Sequence, residues 1–374
     1  MRDILGAVLT AWSSGAAGGL ATVVSTSDSA PMPVGSAMLV TAGGTAVGSV
    51  SGGCVEGAVY DLATRVVAED QPVLVRYGIS DDEAFAVGLT CGGILDVFVE
   101  PLSPARFAEL EVLRGDVAAD RAVAVATIIE HPDPARLGRH LVLRTGDVAP
   151  TLGDLGSARS TAAVADDARG LLASGRSGLL GYGPEGERLG AGMRVFVQSF
   201  APKPRLLIFG AVDFAAALTR LAAFLGFRVT VCDARAVFAT PARFANADEV
   251  VVAWPHRYLA EQIAAGLIDE RTVLCVLTHD PKFDIPLLEV ALRGPALAYI
   301  GAMGSRRTHD DRASRLRDAG VTDAQLGLLH SPLGLDIGGR TPEETAVSIM
   351  AEITAARWGG SGRPLGALSH RIHS

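Results

Sequence analysis

From residue 205 onward the chain alternates short apolar runs with longer stretches of helical period, and this rhythm restricts its fold more than any other feature. Residues 206–210, 228–233, 249–253, 273–277 and 297–301 read as buried strands. Helical patterns follow at 213–225, near 257–266, at 305–319 and at 342–357, the last opened by Thr341-Pro342-Glu343-Glu344. Strand–helix alternation of this kind folds as a doubly wound parallel sheet.

Ahead of the stiff junction Pro202-Lys203-Pro204 the pattern differs. A helix at 3–13 precedes a β-branched strand at Thr22-Val23-Val24-Ser25. Met38-Leu39-Val40, the turn Ala42-Gly43-Gly44 and a return at 46–50 form a hairpin signature. A helix from Val55 to about 69 precedes strands at 73–77 and 95–100. A helix at 105–114, strands near 122–129 and 139–144, a helix at 159–174 and a strand at 193–198 complete this half. Residues 150–192 are the least organised, with a loop carrying Gly181, Gly183, Gly186 and Gly190. No internal repeat is visible. The expectation is an α/β protein: an N-terminal α+β domain over 1–200, loop-rich at 150–192, then a Rossmann-like doubly wound domain over 201–374.

Composition removes several classes. The 374 residues carry 33 basic and 41 acidic side chains, a net charge of −8, with no basic run for a nucleic-acid backbone. An apolar share of 49% is too high for disorder, and four cysteines are too few for a disulfide scaffold. Residues 29–55 are uncharged, yet rich in Gly, Ser, Thr and Pro, so they predict no membrane span. At the start, Asp3 offsets Arg2 and Trp12 interrupts the region a cleavage site needs, which favours a first helix over a leader. The expected compartment is cytoplasmic, with reduced thiols. The apolar excess points to a homodimer.

Two loops pair a thiol with a double glycine. Ser51-Gly52-Gly53-Cys54-Val55-Glu56 puts Cys54 at a helix N-terminus, where unpaired N–H groups attract anions and favour a thiolate. Thr90-Cys91-Gly92-Gly93 is the second; a Cys54–Cys91 disulfide is the alternative use of the two thiols. Cys232 and Cys275 sit inside apolar strands and read as core. No close C-x-x-C spacing supports zinc. In the second half, ligand sites are expected at strand ends. Asp233 stands where a carboxylate binds ribose, 23 residues after Gly210. The turn itself, Gly210-Ala211-Val212-Asp213, has Val where a dinucleotide fingerprint needs Gly, and a negative charge beside the phosphate position, so NAD(P) fits it poorly. Thr278-His279-Asp280 offers one histidine for acid–base work. Gly301-Ala302-Met303-Gly304-Ser305-Arg306-Arg307 offers an anion cradle at a helix start.

These motifs together resemble one family. Gly35-Ser36-Ala37, the run 48–56 and 90–93 resemble the N-terminal domain of XdhC/CoxI proteins, the xanthine dehydrogenase accessory factors. Asp233-Ala234-Arg235, Leu277-Thr278-His279-Asp280, the run 299–305, Ser331-Pro332-Leu333-Gly334-Leu335-Asp336-Ile337-Gly338 and 341–349 resemble that family's Rossmann-like C-terminal domain. The likeness covers most of the chain outside roughly 110–195. It departs at the first Rossmann turn, where the family has Gly-Ala-Gly-His. The resemblance implies a carrier with no turnover of its own. Such a factor binds molybdenum cofactor, protects it during sulfuration by a cysteine desulfurase and passes it to a molybdenum hydroxylase apoenzyme. It implies cofactor contacts at Ser51, Gly52, Gly53, Cys54, Glu56, Cys91, Gly92 and Gly93, with Cys54 a transient molybdenum ligand. In the second domain the implied contacts are Gly210, Asp233, Arg235, His279, Gly301, Gly304 and Ser305. The competing reading is an NAD(P)-dependent oxidoreductase built on the second domain. The hydroxylase itself is excluded, because four scattered cysteines cannot hold its iron–sulfur centres.

Overall fold

A computed structural model describes residues 1–27, 32–78, 93–144 and 151–368. The chain divides into two compact units, Met1–Pro202 and Lys203–Pro364, and the stretch from Leu365 groups with the first.

The first unit runs α1 (Leu5–Ser13), β1 (Gly18–Ser27), β2 (Ala37–Val40), β3 (Ala46–Gly48), α2 (Glu56–Glu69), β4 (Val73–Tyr77) and β5 (Ile94–Leu102). It then runs α3 (Leu110–Ala118), β6 (Val123–Glu130), β7 (His140–Arg144), β8 (Leu152–Gly153), α4 (Ala158–Ala173), β9 (Gly178–Tyr182) and β10 (Met193–Phe200). The two series have the same order of elements. Their sheets have the same topology, β3-β2-β1-β5-β4 and β8-β7-β6-β10-β9, with every pairing antiparallel. The unit is therefore a structural duplication, which corrects the expectation of no repeat. The sequence hides it because alternating apolar residues satisfy a strand without fixing identity.

Correspondence extends to single bonds. Thr22 pairs with Ala37 as Thr127 pairs with His140, and Leu20 faces Glu100 as Val125 faces Gln198. Gly48 and Gly153 both have positive φ, and a Cβ on either would strike one carbonyl oxygen, of Ala37 and of His140. Each central strand uses both of its faces. Ala21, Val23, Val97 and Val99 pack under Val59, Ala63 and Val66 of α2, while Ala124, Ala126, Ile128 and Val197 pack under Val164, Ala168 and Leu172 of α4. The opposite faces meet one another through Val24, Phe98, Ile129 and Phe196. Four layers result, helix–sheet–sheet–helix, so both faces of the central strands carry buried side chains.

Between the sheets lies a buried polar stratum. Glu100 Oε2 is 3.1 Å from His140 Nε2, and His140 Nδ1 is 3.1 Å from Thr127 Oγ1. Phe107 stacks on the His140 ring at 4.0 Å. The partner contact runs the other way: Gln198 Nε2 donates to Gly35 O at 2.9 Å. Glu100 and Gln198 occupy equivalent places, so each repeat reaches into the other.

The second unit is a parallel six-stranded sheet, the doubly wound Rossmann-like architecture expected. Its strands are β11 (Arg205–Phe209), β12 (Arg228–Asp233), β13 (Glu249–Val252), β14 (Val273–Val276), β15 (Tyr299–Ala302) and β16 (Leu329–His330), in the order β13-β12-β11-β14-β15-β16. Its helices are α5 (Asp213–Phe224), α6 (Pro255–Ala264), α7 (Pro281–Arg293), α8 (Arg306–Asp318), α9 (Asp323–Leu326) and α10 (Pro342–Trp358). Cys232 and Cys275 are core residues, and burial pushes the Cys232 thiol up to about 12.

Several expected elements moved. The helix expected at 105–114 begins at Leu110. The Gly181 loop includes the strand β9, whose five residues carry two glycines. Helix α7 and strand β16 had no expected counterpart. Among the described residues no helix is long and apolar enough to cross a membrane.

Candidate functional site

The Cys54 loop joins β3 to α2. Gly52 and Gly53, both at positive φ, turn it back on itself. The carboxylate of Glu56, the first residue of α2, then folds into the loop. Its Oε1 accepts from Ser49 Oγ at 2.6 Å, Ser51 N at 2.9 Å and Val50 N at 3.2 Å. Its Oε2 accepts from Gly53 N at 2.8 Å and from Ser51 Oγ. Ser51 Oγ takes Cys54 N at 3.0 Å and Val55 N at 2.9 Å, and Ser49 Oγ takes Gly52 N at 2.9 Å. Every N–H from Val50 to Val55 is thus satisfied by the loop itself. The expected unpaired N–H groups are occupied, because an acidic side chain two residues past the thiol reaches the donors before any ligand does. Burial pushes the Glu56 carboxyl up, but the hydrogen bonds outweigh it and hold the group at about 2. Cys54 is half-buried and packs against the apolar core under α2. Gly93 is buried at the foot of β5, while Thr90, Cys91 and Gly92 lie outside the described residues.

The second repeat bends differently: α4 begins at Ala158, the position of Gly53, so its helix starts three residues earlier than α2. Leu155 takes the place of Val50, and its N–H donates to Thr161 Oγ1 at 3.1 Å where Val50 uses Glu56. Counting from the equivalent glycines Gly48 and Gly153, Arg159 stands at the position of Cys54 and Thr161 at that of Glu56. Ser157 caps α4.

In the second unit the carboxyl edge of the sheet divides into two halves. Over β11 and β12, Asp233 is 2% exposed and saturated: Oδ1 accepts from Arg235 N and Nε, both at 2.9 Å, and Oδ2 from Ala211 N at 2.8 Å and Arg235 Nη2 at 2.7 Å. A carboxylate has about four acceptor sites, so none remains for a ribose. Burial raises its proton affinity, yet these donors win and hold it below the usual carboxylate range. Asp213, at the first turn of α5, pairs with Arg243 at 3.0 Å, and Arg243 also donates to Ala211 O. A Cβ on Gly210 would sit 2.7 Å from Thr278 Cγ2.

Over β14 to β16 the loops are tied together. Arg312, 3% exposed, donates to Asp284 Oδ2 and Met303 O at 2.9 Å and to Ser331 Oγ at 3.0 Å, while Asp284 accepts from Thr278 Oγ1. Burial pushes the Asp284 carboxyl up. Glu352 accepts from Tyr299 OH at 2.6 Å and from Gly334 N, and its Oε1 lies 2.9 Å from His330 Nδ1. Gly301 is buried because the Tyr299 ring lies against its Cα. Ser305 caps α8 through Thr308 N at 3.2 Å, Gly304 precedes it, and His279 is exposed. Asp284, Arg312, His330 and Glu352 were missed from sequence. The available signal was polar residues on apolar helical stripes: Asp284 with Leu287 and Leu288, Arg312 with Leu316. Among the described residues no group of three or more acidic, His or Cys side chains is placed to hold a metal.

Comparison with known proteins agrees with this architecture. Residues 206–353 match the sequence model of the XdhC Rossmann domain, and 11–78 and 117–183 match that of the XdhC and CoxI family. This chain belongs to the XdhC and CoxI family. The two XdhC/CoxI stretches fall on equivalent parts of the two repeats, from the end of α1 or α3 to just past β4 or β9. The chain is 29% identical over 340 residues to a Bacillus subtilis protein named as a probable xanthine dehydrogenase subunit, covering 90% of this chain and 92% of that one. It is 26% identical over 356 residues to the molybdenum cofactor insertion chaperone PaoD of Escherichia coli, covering 95% and 88%. A solved structure described as a xanthine dehydrogenase from Bacillus halodurans superposes with a TM-score of 0.67 at 25% identity, covering 98% of each chain.

Proposed function

We propose that this chain binds molybdenum cofactor, shields it during sulfuration by a cysteine desulfurase and delivers it to a xanthine dehydrogenase-type hydroxylase. The observation that carries this reading is the Cys54 loop: a thiol set on a fully hydrogen-bonded turn in one repeat and absent from the other. A soft thiolate suits molybdenum, and a single one allows release. Cys54 is the residue that would hold the metal end; Gly93, with Cys91 and Gly92 just before it in sequence, is proposed as its companion. Ser51, Gly52 and Gly53 shape the turn around it. The names of the relatives in Bacillus subtilis and Escherichia coli support the same role. Action as a homodimer belongs to this proposal.

Nothing favours the oxidoreductase reading. Val212 stands where a dinucleotide turn needs glycine, and Asp233 has no acceptor left for a ribose. The residues present do not fit NAD(P). Native mass spectrometry with metal analysis tests the proposal. Purified protein should carry stoichiometric pterin and molybdenum, and Cys54→Ala should lose both. Full retention by that variant would remove the thiol from the account. Melting curves with NAD(H) and NADP(H) should show no shift.

A further inference from the structure

The two repeats share positions in the polar stratum between their sheets and complete it unequally. Thr22 corresponds to Thr127, Ala37 to His140 and Glu100 to Gln198. In one half the His140 ring lies between Thr127 Oγ1 and Glu100 Oε2, 3.1 Å from each. In the other half Ala37 offers only a methyl group. Three polar atoms are left over. Gln198 is 7% exposed, yet its Oε1 has no hydrogen-bond partner among the described residues. Thr22 and Glu100 are buried as well, and Thr22 Oγ1 and Glu100 Oε1 make no hydrogen bond to any described residue. All three side chains line one cavity between the sheets, with Phe98 and Phe196 beside them. The cavity offers about 10 Å³ to a sphere the size of water, close to the least that admits one molecule.

We propose that this cavity is a binding site for one buried water, which does for Thr22 and Gln198 what the His140 ring does for Thr127 and Glu100. The valences close. The two hydrogens of the water go to Gln198 Oε1 and Glu100 Oε1, and its oxygen accepts from the Thr22 hydroxyl. Buried waters typically make about three such bonds to groups that would otherwise lack a partner. Each of the three atoms is thereby spared the cost of burial without a hydrogen bond. The site selects water by size and by valence. An organic solute does not fit the space, and a calcium or magnesium ion needs more oxygen ligands than these three supply. The water joins Thr22 and Glu100 of the first repeat to Gln198 of the second, so the seam between the repeats is held by a molecule outside the chain. This holds whatever cargo the chain carries.

Magnetic relaxation dispersion of the solvent, which counts long-held internal waters, tests this on the full chain. Gln198→Met and Thr22→Val keep the side-chain shape and each remove polar groups from the cavity. The wild type should hold one more long-lived water than Gln198→Met. An unchanged count in that variant would overturn the proposal. Should Gln198→Met fail to fold, Thr22→Val carries the measurement and should lose the same water. Thermal melting gives a second readout, because Thr22 and Gln198 share no direct hydrogen bond and are coupled only through the water. Thr22→Val should lower the melting temperature of the wild type and leave that of Gln198→Met where it was. Equal shifts in the two backgrounds would show that the side chains act independently, and the bridging water would be refuted.

Discussion

The two repeats of the first unit share a backbone and differ in what they spend it on. At the bend after β3, the chain places a thiol, two glycines and a carboxylate with five donors. After β8 the helix starts three residues earlier, and Arg159 and Thr161, at the positions of Cys54 and Glu56, lie inside α4. Gly48 and Gly153 serve the same turn in both copies, whereas Cys54 and Glu56 have no like residue in the second.

The sharpest way to break this division is at the paired glycines. Gly48→Ala and Gly153→Ala each force a Cβ onto a carbonyl oxygen at positive φ, and each should cost about 3 kcal/mol in urea unfolding. Unequal losses would refute their equivalence. The crossing contacts come next. Glu100→Ala removes the acidic partner of the buried His140 and should cost about 3 kcal/mol, whereas Gln198→Ala should cost about 1 kcal/mol. Gln198 Oε1 has no partner among the described residues, so less is lost there. Glu56 supplies a pH test. Its folded carboxyl, at about 2, lies below the ordinary 4.5, so its stabilisation is full above pH 4.5 and lost as pH falls through about 2. Acid titration of Glu56→Thr should lack that component. The smallest effect is Thr161→Val, which removes one hydroxyl acceptor and should cost about 1 kcal/mol by thermal melting.

Much of this was legible in advance. The second unit follows from its strand–helix rhythm, because buried parallel strands must be short and apolar. The thiol at the entry to α2 was also readable. The duplication was not, since Val50 against Leu155 or Leu20 against Val125 is no signal without a superposition. Nor was the capture of the loop's N–H groups by Glu56. A glutamate at the start of a helix reads as a favourable charge, and only coordinates show it turned back into the loop. Asp233 misleads in the same manner: its position predicts a ribose contact, and the turn at Ala211 with its neighbour Arg235 uses up its oxygens. Sequence locates donors and acceptors well, but not which of them have already found each other.

The reciprocal reach between the repeats bears on how the chain is made. Until β6 to β10 have left the ribosome, the inner face of the first sheet, with Val24 and Phe98, has nothing to cover it, and Glu100 waits for a histidine forty residues further on. A nascent chain of that length is an adhesive half-shell. Its folding must finish late and in one step, so truncation anywhere before residue 198 should yield aggregate rather than a smaller working domain.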